Sequence, residues 1–184
     1  MKNLKKLTIL HSNDMHGDFL AEQIDQRLVG SGAIRSYSLG PVVHYADLVE
    51  CLPYDDAVYM LKVTGTQLER MIRHILRDEA FQGEHTEFYQ FSHGTHIVWS
   101  RSEQTFRTLT LDSEALYAER LYTVAVQKYH YNNLKPFLDI TLEEVEKNGK
   151  IRVLSTSARD VVEEYLTVNQ HLSGEVEGRL VVED

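Results

Sequence analysis

The sequence predicts one α+β domain, on three observations. Two stretches carry helix-start signals: Thr66 with Glu69 reads as a capping box, and so does Thr141 with Glu144, whose helix Gly149 closes. Leu68, Met71, Ile72, Ile75 and Leu76 recur at i, i+3, i+4, i+7 and i+8, the spacing that lines one face of a helix. The apolar runs 97–99, 106–111 and 121–126 are short, of β type and separated by polar turns, as strands are. At 184 residues and 42% hydrophobic content, the chain is long enough for one core, with room for an appendage.

Taken in order, Leu7-Thr8-Ile9-Leu10 reads as a short strand that runs into the polar loop His11-Ser12-Asn13-Asp14-Met15-His16-Gly17. A glycine turn, Gly30-Ser31-Gly32-Ala33-Ile34-Arg35, and a Gly40-Pro41 turn follow. Residues 45–52 read as a short helix ended by Pro53, because proline disfavours helical backbone in the residue before it. Residues 57–63 are strand-like and lead into the helix with the apolar stripe. Toward the end, Ser157 caps a helix whose Val161, Val162, Tyr165 and Leu166 face inward, and residues 178–182 form a last strand. There is no repeat and no low-complexity segment.

Composition narrows the function classes. A net charge of -9 and a pI near 5.4 argue against nucleic acid or an anionic membrane as partner, since both require a basic face. An anion bound by this chain must therefore be attracted by local groups. Cys51 is the single cysteine, so no intrachain disulfide can form; two residues before a proline in an apolar run, it reads as a buried, inert thiol. No apolar run approaches the ~20 residues that span a membrane. The run at 7–10 is shorter than a signal-peptide core of roughly 7–15 residues, so a cytoplasmic location is expected.

Asp14 and His16, two apart at the end of a strand, are candidate ligands for zinc or manganese, since carboxylate and imidazole serve both ions. The alternative is a plain strand-to-loop turn. Arg35 is the strongest binding candidate: a Gly-x-Gly turn through Gly32 lets backbone N–H groups approach a ligand, and a guanidinium grips phosphate or carboxylate bidentately. Its alternative is an arginine that caps a turn or pairs with Asp55 or Asp56. His93 and His96 have metal-like spacing but no carboxylate motif nearby, and they read more simply as exposed loop histidines. The chain contains no Gly-x-Ser-x-Gly, Walker loop or Cys-x-x-Cys.

The order of segments from Gly30 to Ile75 resembles the C-terminal, nucleotide-binding domain of the 5′-nucleotidase and UDP-sugar hydrolase family, in which Asn-x-Gly-x-Ile-Arg leads through Leu-Pro-Phe to Leu-Thr-Gly. Here those segments read Gly30-Ser31-Gly32-Ala33-Ile34-Arg35, Leu52-Pro53-Tyr54 and Val63-Thr64-Gly65. Leu121-Tyr122-Thr123-Val124-Ala125 resembles the family's Tyr-x-Val-Ala strand, and Val176-Glu177-Gly178-Arg179-Leu180 its closing Val-x-Gly-Arg-Ile. Residues 7–17 separately resemble the opening of the metallophosphoesterase domain that precedes this domain in the family.

The resemblance implies a mixed sheet with packed helices, and a division into residues 1–29, a remnant of the metallophosphoesterase domain, and residues 30–184, the substrate-binding domain. It implies that Arg35, with Gly32, meets a substrate anion, that Tyr54 and Tyr129 occupy the aromatic positions that sandwich a base, and that Asp14 and His16 are metal ligands. Packing with the phenol tip in water is the other reading of the two tyrosines. The family's remaining metal ligands lie in motifs with no counterpart between Gly17 and Gly30. Its Gly-Gly-Asp-Gly-Phe loop, whose aspartate holds ribose hydroxyls, is replaced by Asn133-Leu134-Lys135-Pro136-Phe137, and a lysine cannot accept from two hydroxyls. The implied function is metal-dependent hydrolysis of nucleotide phosphate esters in the intact enzyme. This chain is then expected to hold a nucleotide or other phosphorylated small molecule, to bind no metal stably and to be inactive alone. A freestanding, non-catalytic binding module is the alternative.

Overall fold

The computed structural model describes residues 26–30, 33–36, 39–82, 89–172 and 176–184. Among them the elements run β1 (Gln26–Gly30), α1 (Tyr45–Cys51), β2 (Val58–Thr64), α2 (Gly65–Ile75), β3 (Tyr89–Phe91), β4 (Thr95–Ser100), β5 (Thr105–Leu111) and β6 (Glu114–Ala115). They continue with β7 (Leu121–Gln127), α3 (Lys128–Asn132), α4 (Leu134–Leu138), α5 (Leu142–Asn148), β8 (Arg152–Ser155), α6 (Ala158–Val168) and β9 (Leu180–Glu183). The fold is α+β, as expected, with both sheets mixed.

The larger sheet has the order β3-β1-β7-β2-β8 and the smaller β6-β5-β4-β9. In the larger, β1 and β7 are parallel and the other neighbours antiparallel; in the smaller, β4 and β9 are parallel. One apolar core joins them. Leu61, Val63, Val124 and Val126 come from the larger sheet, Ile97, Trp99 and Leu111 from the smaller, and Leu68, Met71 and Ile72 from α2. Strand β7 is buried along nearly its whole length, which explains why 121–126 reads as a continuous apolar run rather than an alternation.

Helix α2 buries the predicted stripe in full. Its start differs from the sequence expectation. The cap is Thr64, whose hydroxyl accepts from Gln67 N while the Gln67 side chain returns to Thr64 N, so the capping box lies two residues before Thr66 and Glu69. The reason is that β2 stays paired through Thr64, opposite Leu121, and the helix begins directly at Gly65. A side chain there would place its Cβ 2.2 Å from the Tyr117 carbonyl oxygen, so the close approach requires glycine. Thr66 instead donates to Ala118 O, and Glu69 pairs with Arg73.

The second capping box is as expected: Thr141 accepts from Glu144 N, Glu144 reaches back to Thr141 N, and Gly149 closes α5 at φ +152°. Ser157 caps α6. The α6 residues expected inward are only half buried, because this helix lies at the surface against α1. Strand β1 has no apolar alternation in the sequence, yet it is hydrogen-bonded between β3 and β7. Its pairing places residues 26–30 within the larger sheet. Cys51 is buried, and burial pushes its thiol pKa up, as expected of an inert side chain. Among the described residues no helix is long and apolar enough to cross a membrane.

Candidate functional site

Strand register brings the Arg35, Tyr54 and Tyr129 segments to one end of the larger sheet. Val58 at the start of β2 faces Gln127 at the end of β7 and Ser155 at the end of β8, and β1, parallel to β7, ends at Gly30 on the same side. The end of β1, the 52–57 loop that enters β2, the start of α3 and the start of α6 therefore all lie together. Backbone bonds hold this rim: Arg35 N to Cys51 O at 2.8 Å, Lys128 N to Ala57 O at 2.8 Å and Ala158 N to Asp56 O at 3.0 Å.

Arg35 and Tyr54 meet there. The guanidinium carbon lies 5.3 Å from the centre of the Tyr54 ring, a cation–π contact, and both side chains are exposed, Tyr54 at 56%. A guanidinium over a ring face can still offer N–H donors to an anion. Arg35 does not pair with Asp55, one of the alternatives for it: that carboxylate is taken by Ser157 Oγ at 2.8 Å and Arg159 N at 3.1 Å. Burial alone would raise the Asp55 pKa, but these two hydrogen bonds and the Arg159 charge hold it below the ordinary carboxylate value.

Tyr129, on the first turn of α3, belongs to the same rim and is 52% exposed. Its ring packs against Phe137 at 5.3 Å and against the edge of His130 at 5.5 Å rather than against Tyr54. The structure thus joins Arg35 to Tyr54 and sets Tyr129 in a neighbouring aromatic group. Lys135, where the resembling family has an acid, is folded back on Asp139, and the Asp139 carboxyl is held below its ordinary pKa first by that hydrogen bond.

Asp14, His16 and Gly32 lie outside the described residues. Among the described residues no group of three or more His, Cys, Asp or Glu side chains could hold a metal ion. His93 is exposed beside Glu177, at 3.3 Å. His96 is exposed too, but on β4 rather than in a loop. Sequence reasoning missed Arg159, whose side chain donates to Leu52 O and Pro53 O. It also missed the link from Asp55 to Ser157, because no local pattern signals a bond between residues 102 apart.

The comparisons with known proteins agree with this architecture. The profile of the 5′-nucleotidase, C-terminal domain, matches residues 22–138. Among solved structures, a 5′-nucleotidase precursor from Thermus thermophilus superposes with a TM-score of 0.69 at 19% identity, over 88% of this chain and 32% of that one. The NAD nucleotidase of Haemophilus influenzae gives 0.66 at 14% identity, over 87% and 30%. A sulfate thiohydrolase of Thermus thermophilus, solved with glycerol, gives 0.58 at 15% identity, over 86% and 29%. No curated protein matches. The chain spans about a third of the length of these solved relatives, and at such identities they establish the fold. With the profile covering more than half of the sequence, the chain belongs to the 5′-nucleotidase C-terminal domain family.

Proposed function

We propose that this domain binds a phosphorylated small molecule, a nucleotide first among candidates, at the rim where Arg35, Tyr54 and Tyr129 emerge. The observation that carries the reading is the Arg35–Tyr54 stack, which sets an anion-gripping guanidinium on an exposed aromatic ring. Arg35 takes the phosphate by charge-assisted hydrogen bonds, assisted by the backbone near Gly32, and the tyrosines take the base or another flat group. With Lys135 engaged by Asp139, the segment at 133–137 carries no carboxylate to accept from two ribose hydroxyls, so anion and ring contacts dominate recognition.

Hydrolysis of nucleotide phosphate esters belongs, on this reading, to an intact enzyme of the family with a divalent zinc or manganese site in its other domain. Asp14 and His16, in a remnant at residues 1–29, are the positions here that answer to that site. The described residues do not offer the donor set such an ion needs, so no catalytic step is assigned to them. A cytoplasmic location is part of the same proposal.

Isothermal calorimetry with AMP, UMP and UDP-glucose tests it. Binding to at least one is expected, and Arg35→Ala should weaken it about tenfold or more, since a hydrogen bond to a charged group contributes about 1.5–3 kcal/mol. Tyr54→Ala should cost about 1–3 kcal/mol, the usual value of base stacking on an aromatic ring. Absence of binding to all three ligands, or affinity indifferent to Arg35→Ala, overturns the reading.

A further inference from the structure

The 52–57 loop has no regular secondary structure, and the polar groups of its backbone must be satisfied from outside. The first turn of α6 supplies partners for three of its carbonyls. Arg159 Nε and Nη2 donate to Leu52 O at 3.2 and 2.9 Å, and Nη2 donates also to Pro53 O at 3.1 Å. Ala158 N donates to Asp56 O at 3.0 Å. The Asp55 carboxylate accepts from Ser157 Oγ and Arg159 N, while the same Ser157 hydroxyl caps α6 by accepting from Asp160 N at 2.9 Å. From the other side, Cys51 O is held by Arg35 N. Tyr54 lies in the middle of this span, with its ring under the Arg35 guanidinium.

Arg159 is an odd residue for its position. A cation in the first turn of a helix faces the positive end of the helix dipole, which disfavours it. Its side chain leaves the helix for two successive carbonyls of the loop, through two nitrogens held in one rigid plane, where an ammonium would offer a single nitrogen on a flexible stem. Arg159 also lies beyond residues 22–138, the part of the chain that the family profile matches.

We propose that Arg159, with Ser157 and Asp55, is the positioning clamp of the ligand site: it fixes the 52–56 backbone so that Tyr54 stands beneath Arg35 before any ligand arrives. The proposal rests on the function assigned above. Pre-setting the two groups removes the ordering cost from the binding step, so the clamp acts on affinity without touching ligand.

The test has two readouts on the full chain. In the NMR spectrum, the Arg35 side-chain protons above the Tyr54 ring are expected upfield of their free positions, and Arg159→Ala should return them toward those positions. In calorimetry with AMP, Arg159→Ala should weaken binding about tenfold, with a midpoint of thermal unfolding within about 3 °C of the parent. Arg159→Lys keeps the charge but not the fork and should behave like Arg159→Ala in both. Should Arg159→Ala fail to fold, Asp55→Ala, which releases the clamp from the loop side, is read in the same way. Persistence of the upfield shift in these variants overturns the proposal, as does Arg159→Lys with parental shift and affinity. If AMP, UMP and UDP-glucose all fail to bind the parent chain, the proposed function falls. The NMR shift then decides the clamp alone, its collapse in Arg159→Ala supporting it and its persistence refuting it.

Discussion

Glu144 shows how one side chain can serve two elements. It closes the capping box of α5, accepting from Thr141 N at 2.8 Å and from the Thr141 hydroxyl at 3.0 Å. It also takes Arg70 Nη2 of α2 at 2.6 Å. Burial would raise its pKa, but the Arg70 and Thr141 hydrogen bonds outweigh it and hold the carboxyl at about 2 against an ordinary 4.5. A folded-state value below the unfolded one means that the unfolded chain takes up the proton first. The stabilisation is therefore complete above about pH 4.5 and is lost as pH falls from there toward 2. Glu144→Gln keeps the capping geometry but cannot titrate, so its stability should fall less than that of the parent over this window. Urea midpoints at about pH 6 and about pH 3 check it, and an equal loss in both proteins would show that Glu144 adds nothing to the acid response.

At the scale of elements, the start of α2 separates two readings of one sequence. Thr66 with Glu69 and Thr64 with Gln67 both fit the capping-box pattern, and only the length of β2 decides between them. Thr64→Ala should cost about 1 kcal/mol, the usual loss for a threonine cap, and lower the unfolding midpoint by about 2–4 °C in a chain of this size. Thr66→Ala removes one exposed bond to Ala118 O and should change the midpoint by less than half as much. Equal effects in the two variants, or a larger effect at Thr66, would contradict the helix start at Gly65.

For the molecule as a whole, the question is whether the two sheets unfold together. Trp99, the one tryptophan in the sequence, is fully buried on β4 of the smaller sheet and meets Phe106 edge-on at 4.8 Å. Arg73 of α2 lies over both rings, at 5.4 and 4.9 Å from their centres. Helix α2 thus joins the Trp99 environment to the core of the larger sheet, and the core cluster is continuous across both. Trp99 emission and far-ultraviolet circular dichroism should therefore report the same urea transition. A fluorescence midpoint clearly below the dichroism midpoint would mean that the smaller sheet unfolds on its own.

The chain's own pattern determined the parts that rest on short-range physics. The apolar stripe of α2, the Thr141 and Ser157 caps, the stop before Pro53 and the core strands β4, β5 and β7 follow from spacing, capping chemistry and backbone sterics within a few residues. The same holds for the family, since its motifs are local and ordered. Strands β1, β3 and β8 were not legible, because each is short and its place comes from partners far along the chain: β1 from β7, β8 from β2. The site divided in the same way. Arg35 and Tyr54 could be picked out singly, but that they stack depends on the 52–57 loop being held by α6, whose Ser157 and Arg159 lie more than a hundred residues away. Contacts of that span cost the unfolded chain loop-closure entropy and leave no local trace in sequence, so only the closed tertiary structure decides them.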